Sequence, residues 1–544
     1  MAENMTEFND LPENVQDFIK SVVKKVRYRK KVRTDVFEEL VTHFVDELAD
    51  IADAEQRQQV AEEIIAGFGE PEVLAKLIKR GKKRCRPLWK KVLIAGFQIT
   101  CILILLVGLQ VSTFYIGKPV IKTNYAKWLT EKASAGKDPN LNARSDIDRA
   151  IELADFDFNK FDKILRMWPG DMNETQLQQA KKYLVDNADV IKALREAANK
   201  PYFWIDYDNP QFAEVSLNEA IFPDESEASN GLLMQMLSNW RKLALMMVLN
   251  VKYEVYNGQI TQAINDYFVI QKIAAFFHGQ GFLVEQLVGI AIEAVSYRAI
   301  RDILIRAEIS QSQLLNIQEY LEKIVKKDRQ TIDLTGEKAL WLDEIQRGFT
   351  DDGKGDGRVL AKGLRFIFEN KSNYLKGFVL GSYPGKKETT DEVERFFNQA
   401  GRFFEQTPFQ ADQKQLKITS SLSVFRSLDG VYERLTTLSW RFRADGLALV
   451  TVIAIKRYQK EKQQLPASLQ QLVELGYLDE LPMDPFSDGP LIYKTTEDDF
   501  VLYSVGADFE DDGGKIEYHD NGNVKQFRVE GGDYIFWPTR KKAE

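Results

Sequence analysis

The chain has 544 residues, enough for about three domains of ordinary size. Hydrophobic residues make up 44% and charged residues 28%, a mixture typical of globular domains and not of disordered or collagen-like chains. The net charge of −8 disfavours nucleic acid as a partner. The three histidines, His43, His278 and His519, are far apart in the sequence and leave little material for a multi-histidine metal site.

The segment Val92–Ile116 carries no charged residue over 25 positions and predicts a transmembrane helix. At about 1.5 Å per residue it reaches about 37 Å, which exceeds a hydrocarbon core of about 30 Å. A buried core helix is the alternative, but such length without a charged face is rare in soluble domains. A signal peptide is disfavoured because the segment begins only after residue 91 and is longer than the apolar part of a signal peptide.

The residues that flank this segment predict its orientation. Between Lys76 and Lys91 there are nine basic residues and no acidic ones, whereas a similar stretch after the segment holds three. The positive-inside rule therefore places residues 1–91 in the cytoplasm and residues 117–544 outside, with the basic run against anionic lipid headgroups. Both cysteines precede residue 117, so the outer region forms no disulfides, which suits the periplasmic side of a bacterial inner membrane.

Residues 1–91 form the predicted cytoplasmic module. Gly69 is expected to follow the end of one helix, and Pro71 to begin the next one at its first turn. Apolar residues recur earlier in the module at the spacing of an amphipathic helix, and they are Phe37, Leu40, Val41, Phe44, Val45 and Leu48.

Two short motifs of this module carry a resemblance. They are Glu39-Leu40-x-x-His43-x-x-Asp46 and Gly67-Phe68-Gly69-Glu70-Pro71-Glu72-x-Leu74-Ala75. Together they resemble the HAAS domain, a small helical module that precedes membrane spans in bacterial signalling and transporter-associated proteins. The resemblance implies a cytoplasmic adaptor or sensing role without catalysis. His43 lies at the exposed edge of the apolar stripe and is interpreted as a structural residue, with a ligand or switch role as the alternative.

The outer region begins with a polar segment, residues 117–145, which is interpreted as a linker. Residues 146–440 follow as a predicted helical domain. Turn signals at Asn257-Gly258 and Gly279-Gln280-Gly281 divide its most periodic part, residues 231–305, into three helices. The first two are similar to one tetratricopeptide hairpin, but a regular solenoid needs about three or more such units.

Three side chains of the helical domain are candidates for chemistry, and each has a plainer explanation. Glu285 and Glu293 could share a helix face as an acid–base pair, or else lie at the solvent face or pair with Arg298 and Arg301. His278 follows two phenylalanines at a predicted helix end and is expected to interact favourably with that end.

Two loops of the helical domain stand out by composition. In TDDGKGDGR, residues 350–358, Asp352, Asp356 and Gly357 match three positions of an EF-hand loop, but two other ligand positions lack suitable residues. A flexible acidic turn is therefore favoured over weak calcium binding. PYFWIDYDNP, residues 201–210, is either an interaction patch or a set of aromatic side chains packed beneath a loop.

Residues 441–544 change from a helical pattern to short apolar runs separated by Gly, Asp and Pro. The runs are Leu491–Tyr493, Phe500–Val505 and Ile516–Tyr518. They predict a small antiparallel sheet behind one helix.

Four motifs in this region follow one another in a definite order. They are LPxSLxxLV at 465–473, GYL at 476–478, LPxDPF at 481–486 and LYSVGAD at 502–508. In this order and spacing they resemble the C-terminal half of the major pseudopilin of type II secretion systems. Pseudopilins carry a leader and a GFxxxE peptidase site at the head of their membrane helix. No such site heads the apolar segment here, so the chain is expected to keep its N-terminus and not to polymerise as a pilin.

The pseudopilin resemblance also implies a calcium site in the loop GADFEDDGG, residues 506–514. In that family the loop after the last motif is stabilised by calcium, and Asp508 matches the family's aspartate. Asp511 and Asp512 stand where a further acidic ligand is needed, so these three aspartates are the predicted metal ligands. A solvated acidic turn is the alternative.

These observations predict a mainly α-helical protein with five parts, which are a cytoplasmic module (1–91), a transmembrane helix (92–116), a linker (117–145), an outer helical domain (146–440) and a pseudopilin-like α+β domain (441–544). No nucleophile elbow, HExxH, CxxC or dinucleotide-binding motif is present. The sequence therefore favours a non-catalytic single-pass envelope protein whose outer domains bind protein partners, in a secretion or surface assembly. A transmembrane signalling component is the second hypothesis, and an unrecognised envelope hydrolase is the third.

Overall fold

The computed structural model is mainly helical, with 67% of the chain in helices and one small three-stranded antiparallel sheet, which confirms the fold class at that level. It divides into an N-terminal unit, Met1–Leu109, and a C-terminal unit, Gln110–Glu544. The structure describes residues 2–84, 88–154, 163–208, 232–326, 332–364, 384–422, 425, 428, 430–497, 499–519, 524–525 and 532–539.

The N-terminal unit contains a small helical core. Gly69 follows the fourth helix with a φ of 72°, and Pro71 begins the fifth, as the turn residues predicted. The predicted apolar stripe lies on the third helix, where Leu40, Val41 and Phe44 are buried. The five helices are α1 (Ala2–Asn9), α2 (Glu13–Lys25), α3 (Lys30–Leu48), α4 (Ala54–Phe68) and α5 (Pro71–Arg84).

Helix α6, Leu88–Thr113, contains the apolar segment. Its residues Val92–Thr113 have a mean hydropathy of 2.6 over the most apolar window, none of which is buried within the protein. Among the described residues this is the one helix long and apolar enough to cross a membrane. The helix ends three residues earlier than the sequence predicted, because Phe114 turns into the core of the C-terminal unit and its carbonyl accepts a hydrogen bond from the Ala361 N–H at 2.9 Å.

The segment 117–145, which the sequence indicated as a linker, is instead part of the folded C-terminal unit. It contains helix α7 (Tyr125–Ser134), whose Leu129 is buried. The buried Gln346 side chain accepts hydrogen bonds from the N–H groups of Lys122 and Thr123 and donates one to the Thr123 carbonyl. These contacts come from a residue more than 200 positions away, so composition alone could not indicate them.

Three helices, Leu232–Tyr256, Ile260–Phe277 and Leu283–Arg306, pack against one another and form the centre of the larger hydrophobic core. The turns that separate them fall at Gly258 and Gly279, with φ values of 79° and 78°, as the sequence predicted. The helices from residue 144 to residue 326 are α8 (Arg144–Leu153), α9 (Glu174–Asp186), α10 (Ala188–Ala198), α11 (Leu232–Tyr256), α12 (Ile260–Phe277), α13 (Leu283–Arg306) and α14 (Gln311–Lys326).

A second hydrophobic core forms around α15 (Thr335–Gly348) and α16 (Lys386–Phe404). Phe396 and Phe425 stack there with ring centroids 4.2 Å apart. The short helix α17 (Pro408–Gln413) follows α16.

Helix α18, Val431–Lys462, runs without interruption through the domain boundary that the sequence suggested at residue 440/441. It packs against α13, α14 and α16 on one part of its surface and against the sheet on another. The helical and α+β regions therefore share one helix and one core, and the expected boundary does not separate them. A short helix, α19 (Leu469–Glu474), follows it.

The sheet has the order β1-β2-β3, with β1 at Ile492–Thr495, β2 at Phe500–Ser504 and β3 at Tyr534–Trp537. The first two strands lie where the sequence placed them. The third run, Ile516–Tyr518, forms only an isolated bridge between Tyr518 and Val524. Strand β3 was not predicted, because all four of its side chains are buried and it shows no polar alternation.

Candidate functional site

The C-terminal unit contains an open cleft beside α18, which we call the Trp440 cleft. It has a volume of about 410 Å³, within the range of about 300–1,000 Å³ usual for ligand sites. One wall is the α18 surface from Trp440 to Thr451, and the opposite wall is the loop of residues 478–485. The walls are mostly apolar, and Glu322, Asp479 and Glu480 bring acidic side chains to the cleft.

The loop wall of this cleft is held by a buried aspartate. Asp484 accepts hydrogen bonds from the Ser504 hydroxyl at 2.8 Å, the Val505 N–H at 3.0 Å and the Phe486 N–H at 3.0 Å. Burial raises the pKa of this carboxyl, and these three hydrogen bonds lower it in part. The LPxDPF and LYSVGAD motifs are thus joined through one side chain, which fixes the cleft wall to strand β2.

A smaller cavity of about 50 Å³, which we call the Glu293 cavity, shares Val325 and Arg443 with the Trp440 cleft. Its polar lining includes His278, Glu293 and Ser439. The Nε2 atom of His278 lies 3.1 Å from a Glu293 carboxylate oxygen, although the two do not meet the angular criteria of a hydrogen bond. His278 therefore lies within ion-pair distance of Glu293 and directly follows the end of α12.

Glu285 and Glu293 do not form the acid–base pair that their spacing allowed. Eight residues of α-helix separate them by about 12 Å along the axis, and they have different partners. Glu285 accepts hydrogen bonds from the Tyr207 hydroxyl at 2.7 and 2.9 Å and from the Phe282 N–H at 2.9 Å. Arg301, an expected partner, binds Asp445 at 2.6 Å instead.

Two buried carboxyl groups lie where the first turns of α13 and α15 meet. Burial raises the pKa of Glu285 to about 7, in spite of its hydrogen bonds. Burial also raises the pKa of Glu337 to about 8, and the Glu285 charge contributes in the same direction. Glu337 accepts a hydrogen bond from the Leu283 N–H at 2.5 Å, so each carboxyl caps the first turn of α13.

Arg443 is a residue of the site that the sequence did not single out. Its Nε and Nη2 atoms are inaccessible to solvent, and no acceptor in the described part of the chain binds them. The guanidinium carbon lies 3.9 Å from the centre of the Trp440 ring. The available signal was the RFR sequence at 441–443 directly before the apolar run of α18, where two cations precede buried helix positions.

The predicted calcium ligands lie in an exposed turn after β2. Asp508 accepts hydrogen bonds from the Gly532 and Glu510 N–H groups, and Asp511 accepts them from the Tyr503 hydroxyl at 2.9 Å and the Gly513 N–H at 2.8 Å. Asp512 is exposed. Among the described residues no group of three or more His, Cys, Asp or Glu side chains is placed to hold a metal ion. Calcium would have to displace some of these hydrogen bonds or use the remaining oxygens.

The loop of residues 350–358 is a closed turn. Its ends pair through hydrogen bonds between Thr350 and Arg358, and the Asp352 N–H donates to the Asp356 carbonyl at 2.8 Å. The Asp352 and Asp356 carboxylates accept N–H groups of the loop itself and of Lys387. The acidic side chains therefore hold the turn together, which is a different role from the flexible turn that the sequence favoured.

The aromatic loop that begins at Pro201 supports the packing interpretation over its described part, which ends at residue 208. Phe203, Trp204 and Tyr207 are buried. The Phe203 ring stacks on Phe276 at 5.5 Å, and residues 209–210 lie outside the described residues.

The N-terminal unit has a separate groove of about 630 Å³, which we call the His43 groove. The His43 ring lies edge-on to Phe68 at 5.4 Å, and both line the groove. Glu39, Leu40 and Leu74 are further lining residues, so the two motifs of this unit meet at one surface. Cys85, just beyond α5, lies outside the described residues, and Cys101 is exposed on α6.

Comparison of the chain with models of known protein families, with the sequences of characterised proteins and with solved structures found no match. The fold and the sites by themselves define a mainly helical protein that has, within its described residues, one helix long and apolar enough to span a membrane, and an open cleft in its C-terminal unit.

Proposed function

We propose that the chain is a single-pass protein of the bacterial inner membrane that binds a protein partner in the Trp440 cleft. In this proposal residues 1–91 are cytoplasmic and the C-terminal unit lies in the periplasm. The length and apolar surface of α6 support this topology, and so do the nine basic residues from Lys76 to Lys91 that precede its apolar segment. The C-terminal unit acts by binding and not by catalysis.

The observation that carries the proposal is the composition of the Trp440 cleft. Leu481, Pro482, Met483 and Pro485 of the LPxDPF motif line it, and the Met483 side chain is 51% exposed. An apolar surface with a few polar groups at its edge is typical of a protein interface. The motifs that resemble the pseudopilin are therefore used here as a binding surface.

A photo-crosslinking residue in place of Met483 tests the proposal in native membranes. Leu475 is the matched control, because it is 53% exposed in the same region and does not line the cleft. We expect a protein adduct from position 483 and none of the same identity from position 475. The purified partner should then bind the full chain, and Met483→Arg should weaken that binding while Leu475→Arg should not. The same adduct from both positions, or none from position 483, would overturn the proposal.

A signalling role is the second proposed function, and the His43 groove favours it. The motifs that resemble the HAAS domain supply Glu39, His43 and Phe68 to one groove, which gives the cytoplasmic module a surface for a partner of its own. Deletion of residues 1–85 leaves three basic residues, Arg86, Lys90 and Lys91, before the apolar segment and tests this role. A relay should lose its cellular phenotype while the Met483 adduct persists, whereas a protein that only binds outside should keep both.

A further inference from the structure

The guanidinium of Arg443 occupies an unusual position in the C-terminal unit. It lines both the Trp440 cleft and the Glu293 cavity, and two of its nitrogen atoms are buried without an acceptor among the described residues. Buried polar groups in proteins are nearly always hydrogen-bonded, and buried charges are nearly always paired. The Arg443 guanidinium is therefore a largely buried cation without a charge partner among the described residues, which is an unfavourable arrangement.

A second buried arginine nearby has a charge partner on the same helix, although its Nε and Nη1 atoms also lack an acceptor among the described residues. Arg301 is fully buried, and its Nη2 atom donates to the Asp445 carboxylate at 2.6 Å and to the Asp445 carbonyl at 3.0 Å. Asp445 is two residues from Arg443 on α18, yet its carboxylate is used by Arg301. Burial lowers the pKa of Arg443 to about 10, so the group is still a cation at neutral pH.

We infer that Arg443 binds a carboxylate of the partner segment that occupies the Trp440 cleft. This inference rests on the proposed function and names what the cleft recognises. A planar guanidinium can donate two parallel hydrogen bonds to a carboxylate. Because the Nε and Nη2 atoms are inaccessible to solvent in the free protein, the guanidinium turns toward the cleft when the carboxylate binds. The Trp440 ring, 3.9 Å from the guanidinium carbon, gives it a surface to stack on.

The carboxylate enters from the cleft side. The Glu293 cavity already contains a carboxylate, and its volume of about 50 Å³ leaves room for only about four water molecules. The cleft is larger and mostly apolar, but Glu322, Asp479 and Glu480 give it acidic edges. Acidic edges repel a ligand with many negative charges, such as a phosphate-rich or nucleic-acid ligand, more strongly than a segment with a single carboxylate. The segment that fits is a protein chain with one carboxylate flanked by apolar residues.

The test uses the purified full chain in detergent and two probes of the same shape, 3-phenylpropionate and 3-phenylpropionamide. We expect the carboxylate at millimolar concentration to raise the melting temperature in a saturable way and the amide to have no effect. The Arg443→Gln variant should lose this shift, with an apparent dissociation constant raised at least tenfold. Arg434→Gln is the matched control, because Arg434 is exposed on the same helix, and it should respond as the wild type does. Each variant is compared with its own melting temperature without probe.

Three results would overturn the inference, and each can be separated from failure of the proposed function. They are no saturable shift with the carboxylate, an equal shift with the amide, and a shift that persists in R443Q. The Met483 adduct distinguishes the two proposals. If the R443Q variant still forms the Met483 adduct, the protein partner is supported and the contact between Arg443 and its carboxylate is refuted. If the carboxylate probe binds but no adduct forms, the carboxylate site is supported and the protein partner is refuted. Arg443→Lys, which keeps the charge without the planar fork, should restore only part of the response.

Discussion

At the scale of single residues, the C-terminal unit contains carboxyl groups that favour protonation. Glu285 is buried and Glu337 is half-buried, with a buried carboxylate oxygen, where α13 and α15 meet, and burial raises the pKa values to about 7 and about 8. An unfolded glutamate has a pKa of about 4.3. The folded state therefore binds these protons more tightly than the unfolded state does, and the protein contains a built-in dependence of stability on pH.

We predict that Glu285→Gln raises stability relative to the wild type as the pH increases. Protonated Glu285 stabilises the folded state fully below about pH 4, and this stabilisation is lost as the pH rises through the folded pKa of about 7. The E285Q side chain never ionises, so the difference in unfolding free energy should grow between pH 5 and pH 8 and approach about 4 kcal/mol at most. Melting temperatures over this pH range measure it. Glu152→Gln, an exposed control, should give a difference that does not change with pH in this way.

At the scale of secondary-structure elements, the close approach of α15 to the turn before α13 depends on the absence of a side chain. A Cβ atom on Gly336 would lie 1.8 Å from the carbonyl oxygen of Gly281, a backbone atom that cannot move aside alone. The same approach brings Glu337 to the Leu283 N–H. The close approach of α15 to this turn and the positions of the buried carboxyl groups therefore depend on each other.

We predict that Gly336→Ala destabilises the protein by about 1–3 kcal/mol or more, because the added methyl group forces the two elements apart. Gly401→Ala in α16 is the matched control, since a Cβ atom there meets nothing within 4 Å. That substitution should stabilise the protein by up to about 1 kcal/mol through its better helix propensity. Thermal melting of both variants measures the contrast, and equal effects of the two would contradict the predicted clash.

The acidic turn at residues 506–514 gives a second prediction for an element. If Asp508, Asp511 and Asp512 bind calcium, the full chain should melt at a higher temperature in calcium than with a chelator. Calcium that binds only the folded form adds about 2.7 kcal/mol at a hundred times its dissociation constant. Asp508→Ala should abolish the response, and Asp488→Ala, a change at an exposed aspartate outside the turn, should keep it. A melting temperature that does not change with calcium would contradict the predicted site, and the turn would then be stabilised by its hydrogen bonds without a metal ion.

At the scale of the whole molecule, the proposed topology predicts which parts of the chain a protease can reach. Protease added outside an intact inner membrane should remove a C-terminal tag and digest the chain from about residue 117 onwards, because the basic run before α6 keeps residues 1–91 inside. An N-terminal tag should stay on a protected fragment until the membrane is permeabilised. A C-terminal tag that survives in intact cells and is lost after permeabilisation would reverse the orientation.

The parts of the fold that were predictable depend on local patterns. Helical periodicity placed the stripe of α3, and uncharged length placed α6. The turns at Gly258 and Gly279 require backbone angles that glycine adopts easily, so the breaks before α12 and α13 could be seen in the sequence. Strands β1 and β2 carried apolar runs between turn residues.

The parts that were missed depend on contacts between distant residues. Residues 117–145 look like a linker until Gln346 binds the backbone at Thr123, and α18 looks divisible at residue 440 until α13, α14 and the sheet pack along it. Strand β3 is apolar on both faces and so lacks the alternation that indicates a strand.

The sequence by itself determined the class of the protein, since composition, periodicity and turn residues act over a few positions of the chain. It indicated a mainly helical protein, an apolar helix after residue 91 and a small antiparallel sheet near the C-terminus. The tertiary structure alone decided which polar groups meet. Arg301 reaches Asp445 across 144 positions, and that pairing leaves Arg443 without a carboxylate at the Trp440 cleft. No local pattern encodes which charged groups pair. The pairing depends on which helices share the core and on how strongly each charged group is desolvated there.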